Sequence, residues 1–192
     1  MDFFETVSQR HSYRGSFQDK PVPREDLRKI VEAGLLAPSG NNFQTTSFII
    51  VDDPALVAAI ATMHAQGKTV SVQNSALAEA KNFVGAMQEA KAYIVCVIDQ
   101  ITALSDGPAF PVEDCAAATE NMLLAITALG YASVWVDGWL RREGRADKIG
   151  QLLGIPENKV ARVILPIGVP ALAEFRSPDK KPFEERVSFN RS

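Results

Sequence analysis

Helix-type and strand-type hydrophobic patterns alternate along this chain, which predicts a protein of the α/β or α+β class. Two observations carry that reading. Short β-branched runs stand at 48–51, 93–98, 133–136 and 162–167, with helical spacings between them. No repeat, low-complexity tract or composition shift divides the 192 residues, so one domain over 1–192 is expected, long enough to bury a continuous core.

The elements follow in order. Phe3, Phe4 and Val7 recur at helical spacing, so a short amphipathic helix leads into the polar stretch Arg10-His11-Ser12-Tyr13-Arg14. Pro23 before Arg24-Glu25-Asp26 marks a helix start, and Leu27, Ile30, Val31, Gly34 and Leu35 form its apolar stripe up to Pro38. Phe48-Ile49-Ile50-Val51 reads as a buried strand closed by Asp52-Asp53-Pro54, followed by a helix from Ala55 to Met63 that Gln66-Gly67-Lys68 breaks.

Ala76 to Gln88 is helix-forming, Tyr93 to Ile98 reads as a second buried strand, and Thr102 to Pro111 as a loop. From Asp114 to Leu129 the pattern is so apolar after Asn121 that this helix is expected to be buried on nearly all sides. Gly130 stops it. Ser133-Val134-Trp135-Val136 is predicted as a third strand, Asp137-Gly138 as a turn, Arg145 to Leu153 as a polar helix and Arg162 to Ile167 as a fourth strand. Beyond Gly168 the tail is polar and punctuated by Pro170, Pro178 and Pro182, with no core of its own.

Composition excludes several function classes. A net charge of −3 offers no basic footprint for nucleic acid or an anionic membrane, so any anion site must be local. No apolar run approaches the roughly 20 residues of a membrane span, and Met1-Asp2-Phe3-Phe4-Glu5 is too acidic for a signal peptide, so a cytoplasmic location is expected. Cys96 and Cys115 lie in apolar surroundings, as buried thiols do in a reducing compartment. Two histidines and no clustered ligands leave nothing from which to build a zinc site.

Two segments hold the chemistry. Arg10 and Arg14 flank Ser12, placing two guanidinium forks and a hydroxyl around a small volume suited to a phosphate. Alone, such a pair is also what a solvated surface turn shows. Pro38-Ser39-Gly40-Asn41-Asn42-Phe43-Gln44 gathers amide and hydroxyl side chains on a loop before a strand, where a polyhydroxylated ligand finds partners; it is equally a turn rich in turn-formers.

Together the two resemble the nitroreductase family, whose N-terminal half carries Arg-x-Ser-x-Arg/Lys and then Pro-Ser-x-x-Asn-x-Gln before a strand. The matching residues are Arg10, Ser12 and Arg14, then Pro38, Ser39, Asn42 and Gln44. The resemblance continues through the Asp114–Leu129 helix, Trp135-Val136-Asp137-Gly138, Pro166-Ile167-Gly168 and the basic tail before Pro182.

It implies an α+β fold, a three-layer α-β-α sandwich around a mostly antiparallel sheet, in a two-fold dimer with intertwined termini and a tail from about residue 170 to 192 on the partner. By the same resemblance, FMN would be held noncovalently at the interface. Arg10 and Ser12, with His11 beside them and Lys180 and Lys181 from the tail, would hold its phosphate, and Arg14 would lie at the pyrimidine edge where charge accumulates on reduction. Pro38, Ser39, Gly40, Asn42 and Gln44 would approach the same flavin from the second subunit, and Val136, Asp137 and Gly138 would form the turn under the ring.

Two departures stand out. Many relatives have Pro-Trp where this chain has Thr45-Thr46, and the family's mid-chain flavin contacts have no clear match around Asn82 to Gln88. No Gly-x-Gly-x-x-Gly turn or Walker lysine loop is present, so the nicotinamide of NAD(P)H would stack on the flavin itself and leave before a small acceptor, such as a nitroaromatic or quinone, takes its place. That ordering is ping-pong and needs no side-chain acid or base. A carrier or sensor without turnover, a dehalogenating or flavin-fragmenting relative, and a cofactor-free interaction module are the competing readings; the last would be colourless.

Overall fold

The computed structural model describes residues 1–66, 83–101, 103–104, 107–171 and 179–191. Helix α1 (Phe3–Gln9) starts where the Asp2 carboxylate accepts the Glu5 N–H at 2.9 Å. Helix α2 (Arg24–Leu35) buries the stripe of Leu27, Ile30 and Gly34. There follow β1 (Thr46–Val51), α3 (Pro54–Gln66), α4 (Phe83–Glu89), β2 (Ala92–Asp99), the two-residue strands β3 (Ala103–Leu104) and β4 (Gly107–Pro108), α5 (Pro111–Ala128), α6 (Arg145–Leu153) and β5 (Lys159–Ile167).

β2 lies between β1 and β5, antiparallel to both, so Tyr93 faces Val51 on one side and Pro166 on the other. A central strand covered on both faces needs apolar side chains at every position, and residues 92–98 are all buried. Tyr93, Val95 and Val97 join a cluster with Ile60 of α3, Met87 of α4 and Ile149 of α6; Ile94, Cys96 and Ile98 join Ile30 of α2 and Met122 of α5 on the opposite face. α2 and α5 pack so closely that a Cβ on Gly34 would lie 2.8 Å from Met122 Cγ.

The β2–β5 ladder shifts register between Cys96 and Val97, which face Val163 and Ala161, leaving Arg162 as the extra residue of a bulge.

The structure corrects several expectations. Ser133–Val136 is not a strand: Ala132 and Val136 make single bridges to Gly168 and Ile164, and the backbone between them forms no ladder. Part of the expected 102–111 loop forms the β3–β4 pairing, and Pro111 already belongs to α5; Thr102, Ser105 and Asp106 lie outside the described residues. Of the 76–88 helix, 83–89 is helical and 76–82 lies outside them; α3 runs on to Gln66, and Gly67 and Lys68 also lie outside. Within one chain α5 is buried along Asp114, Cys115, Ala118, Thr119, Met122 and Ile126, whereas Val112, Glu113 and Glu120 are exposed.

Candidate functional site

Tyr13 fixes the basic N-terminal segment. Its ring is 1% exposed, its N–H donates to Ser133 O at 2.8 Å, and its hydroxyl donates to Ser16 O while accepting the Ala171 N–H at 3.1 Å. Burying the tyrosine leaves Arg10, His11, Ser12 and Arg14 half-exposed around it. Arg10 caps α1 and its guanidinium pairs with Glu120 of α5 at 3.2 Å. Arg14 donates to Ser12 O at 3.3 Å, and the His11 ring nitrogen Nδ1 lies 2.9 Å from Gln9 O. Helix α4 closes on the end of this segment: a Cβ on Gly85 would lie 2.9 Å from Gly15 O, and Ser16 donates to Glu89 at 3.2 Å.

The Pro38–Gln44 loop is bent tightly. A 3-10 turn spans Gly40–Asn42, and three residues that are not glycine adopt positive φ: Asn41 at 49°, Asn42 at 59° and Gln44 at 51°. Such angles occur chiefly where surrounding contacts enforce them, often at functional loops. The enforcing contacts are internal: Ser39 Oγ accepts the Gln44 N–H at 3.1 Å, and Gly40 N–H and Thr45 Oγ1 both donate to Asp114 at 2.8 and 2.6 Å. Gly40 has its N–H committed inward and its face against Phe110, whose Cδ2 would lie 2.6 Å from an added Cβ. Pro38, Asn42 and the Gln44 side chain are exposed, with Ser39 half-exposed beside them.

Val136 is buried against Ile164, and the chain turns at Asp137 and Gly138. The Asp137 carboxylate accepts from Arg141 at 2.6 Å and Arg162 at 2.9 Å, so the bulge aims a guanidinium at this turn. A Cβ on Gly138 would meet nothing within 4 Å, leaving one side of the turn backbone open. Trp139 is engaged elsewhere, between His64 and Arg145 with both centres 5.3 Å away, and Phe110 serves as the packing partner of Gly40.

Five of the candidate residues border two clefts that share no lining residue. One, of ≈190 Å³, is bordered by Gln9, Arg10, His11, Tyr131, Ser133 and Pro170; the other, of ≈120 Å³, by Pro38, Ser39, Gln44, Thr46 and Asp114. Each is smaller than the roughly 300–1,000 Å³ of a usual ligand site. Ser12 and Arg14 border neither cleft, and a groove of ≈680 Å³ between α3 and α6 holds none of the candidates. Lys180 and Lys181 are exposed in the tail, where Lys181 lies 4.0 Å from Glu185; no bond among the described residues brings either lysine to Arg10 or Ser12 within one chain.

Sequence reasoning missed Asp114, Thr45, Glu120 and Arg162 as partners of the candidate residues. Asp114 carries a local signal only as an acid in the first turn of a helix. Of the stretch where the family's mid-chain flavin contacts had no clear match, Asn82 lies outside the described residues and Gln88 is half-buried on α4.

The profile described as the nitroreductase family matches residues 7–169. A protein of Archaeoglobus fulgidus provisionally named a NADH dehydrogenase/NAD(P)H nitroreductase is 37% identical over 155 residues, covering 80% of this chain and 78% of its own. A NADPH-dependent oxidoreductase of Staphylococcus epidermidis is 28% identical, covering 94% of this chain and 70% of its own. Among solved structures, a nitroreductase of Bacteroides fragilis with bound FMN superposes with a TM-score of 0.72 at 25% identity, over 98% of each chain.

Proposed function

The chain belongs to the nitroreductase family, and on that footing we propose that it is an FMN-dependent enzyme moving electrons from NAD(P)H to a small acceptor such as a nitroaromatic or quinone by a ping-pong sequence. One observation carries the reading: Tyr13 is locked into the core, so Arg10, Ser12 and Arg14 are held together at the surface on a rigid support. FMN, when bound, would supply the two-electron redox chemistry.

The residues present fit that group. Arg10 meets a solvent-facing carboxylate that a phosphate can replace, and the open side of Gly138 allows a flat ring to approach backbone. Arg10 and Ser12, with His11 beside them, hold the phosphate, joined by Lys180 and Lys181. Arg14 sets the charge at the pyrimidine edge. Val136, Asp137 and Gly138 shape the floor, the Asp137 carboxylate acting through its ion pairs and the backbone facing the ring.

The site is completed by a second copy. The two clefts are each too small, and the 10–14 and 38–44 segments border different ones, so Pro38, Ser39, Gly40, Asn42 and Gln44 of one protomer complete the phosphate cleft of the other. Apolar groups await cover: Phe3, Phe4, Leu36 and Phe189 are 65%, 81%, 84% and 80% exposed. We read the assembly as a three-layer α-β-α dimer whose tail, residues 170–192, lies on the partner, the whole chain forming one domain.

The test is anaerobic reduction of the purified yellow protein by NADH and by NADPH, then an acceptor panel. Bleaching by either nicotinamide and recovery with a nitroaromatic or quinone is expected, with parallel double-reciprocal plots. A yellow protein that neither nicotinamide bleaches would be a carrier instead.

A further inference from the structure

Beside the candidate flavin contacts stands a carboxylate that takes no part in the proposed chemistry. Asp114 is 6% exposed, and each of its oxygens is committed to a different end of one loop: Oδ1 accepts the Gly40 N–H at 2.8 Å and Oδ2 accepts the Thr45 hydroxyl at 2.6 Å. The four residues between those anchors include Asn41, Asn42 and Gln44, all at positive φ. Left-handed backbone is tolerated by asparagine but unfavourable for glutamine, so Gln44 above all would relax if released.

We propose that Asp114 is a positioning residue for flavin binding, holding the loop in the shape that displays Ser39, Asn42 and Gln44. The proposal rests on reading that loop as a flavin-contacting segment. The carboxylate is well placed for the task. It sits in the first turn of α5, where the helix dipole favours negative charge, and its own N–H donates to Phe110 O at 2.9 Å, so its position is set by the helix.

A buried threonine hydroxyl bonded to a buried carboxylate stiffens the loop. A second bond of Thr45 ties the loop to the sheet: its backbone O accepts the Asp99 N–H at 3.1 Å.

The experiment strips the flavin from wild type and from Asp114→Asn, Thr45→Val and Arg10→Ala, adds back FMN or riboflavin, and reads dissociation constants by fluorescence quenching well below each melting temperature. If Asp114 positions the loop, Asp114→Asn weakens FMN and riboflavin by the same factor, about ten-fold or more. Thr45→Val weakens both by about three-fold or more, having lost one of the two bonds. Arg10→Ala differs by affecting FMN far more than riboflavin. Should Asp114→Asn fail to fold, Thr45→Val carries the test.

A lower melting temperature with unchanged affinity for both flavins overturns the positioning role and leaves the flavin reading intact. Wild type that binds neither flavin overturns both.

Discussion

Replacing Arg10 by alanine bears most directly on the phosphate. The guanidinium rests on Glu120 at 3.2 Å with the two side chains 24% and 49% exposed. A pair that open to solvent contributes about 0–1 kcal/mol. A bond from the same guanidinium to a phosphate dianion contributes about 1.5–3 kcal/mol. Exchanging carboxylate for phosphate is therefore favourable by about 0.5–3 kcal/mol, and Arg10→Ala should raise the FMN dissociation constant about 2- to 150-fold. Riboflavin, which lacks the phosphate, should bind the variant about as it binds wild type. Glu120→Gln should tighten FMN by up to about five-fold, since the arginine is no longer drawn away. Titration of stripped protein with both flavins decides the matter, and the FMN difference should shrink with added salt. Equal losses for FMN and riboflavin, or none for FMN, would refute the assignment.

Other outcomes follow from the same geometry. A Cβ on Gly168 would lie 2.6, 2.7 and 3.0 Å from Phe17 Cγ, Cδ1 and Cβ, atoms at the root of a buried ring. Gly168→Ala should therefore cost about 1–3 kcal/mol and lower the melting temperature by roughly 3–10 °C, with most of that loss absent in a Phe17→Ala background. Tyr131 donates to Asp26 at 2.7 Å; burial and then this bond push its hydroxyl up to about 12 from its usual 10.0. Its stabilising effect is complete below about pH 10 and is lost as pH rises through about 12, so Tyr131→Phe should flatten that limb in urea midpoints. Arg14→Ala should slow the bleaching of bound flavin by NAD(P)H more than it lowers the melting temperature; equal stopped-flow rates would count against its role.

Much of the fold was legible because periodicity reports burial. The continuous apolar run at 93–98 is the central strand, and Leu27, Ile30 and Gly34 mark the inner stripe of α2. Val134 and Val136 misled for the same reason: both are buried, yet their segment meets β5 through isolated bridges rather than a ladder. α5 looked buried all round because its apolar residues gather after Asn121, whereas the turns before it also carry the exposed Val112, Glu113 and Glu120. In the candidate site, Arg10, Ser12, Ser39 and Asn42 were singled out by their motifs and the family these resemble. Asp114 could not, since its partners Gly40 and Thr45 stand 74 and 69 positions away in sequence and only the fold joins them. The left-handed Gln44 was equally silent, as nothing in its residue type requires that backbone.

Arg162 has a consequence for how β5 should be altered. Val160, Val163 and Leu165 side with α2 and α5, whereas Ala161 and Ile164 side with the opposite cluster. Strike Arg162 out and the remaining residues alternate without a break, so packing alone has no use for this position. Excising the residue, rather than replacing it, should leave a strand that folds in register while the Asp137 corner loses its tether; the arginine is a spacer to the sheet and a stay-rope to the corner.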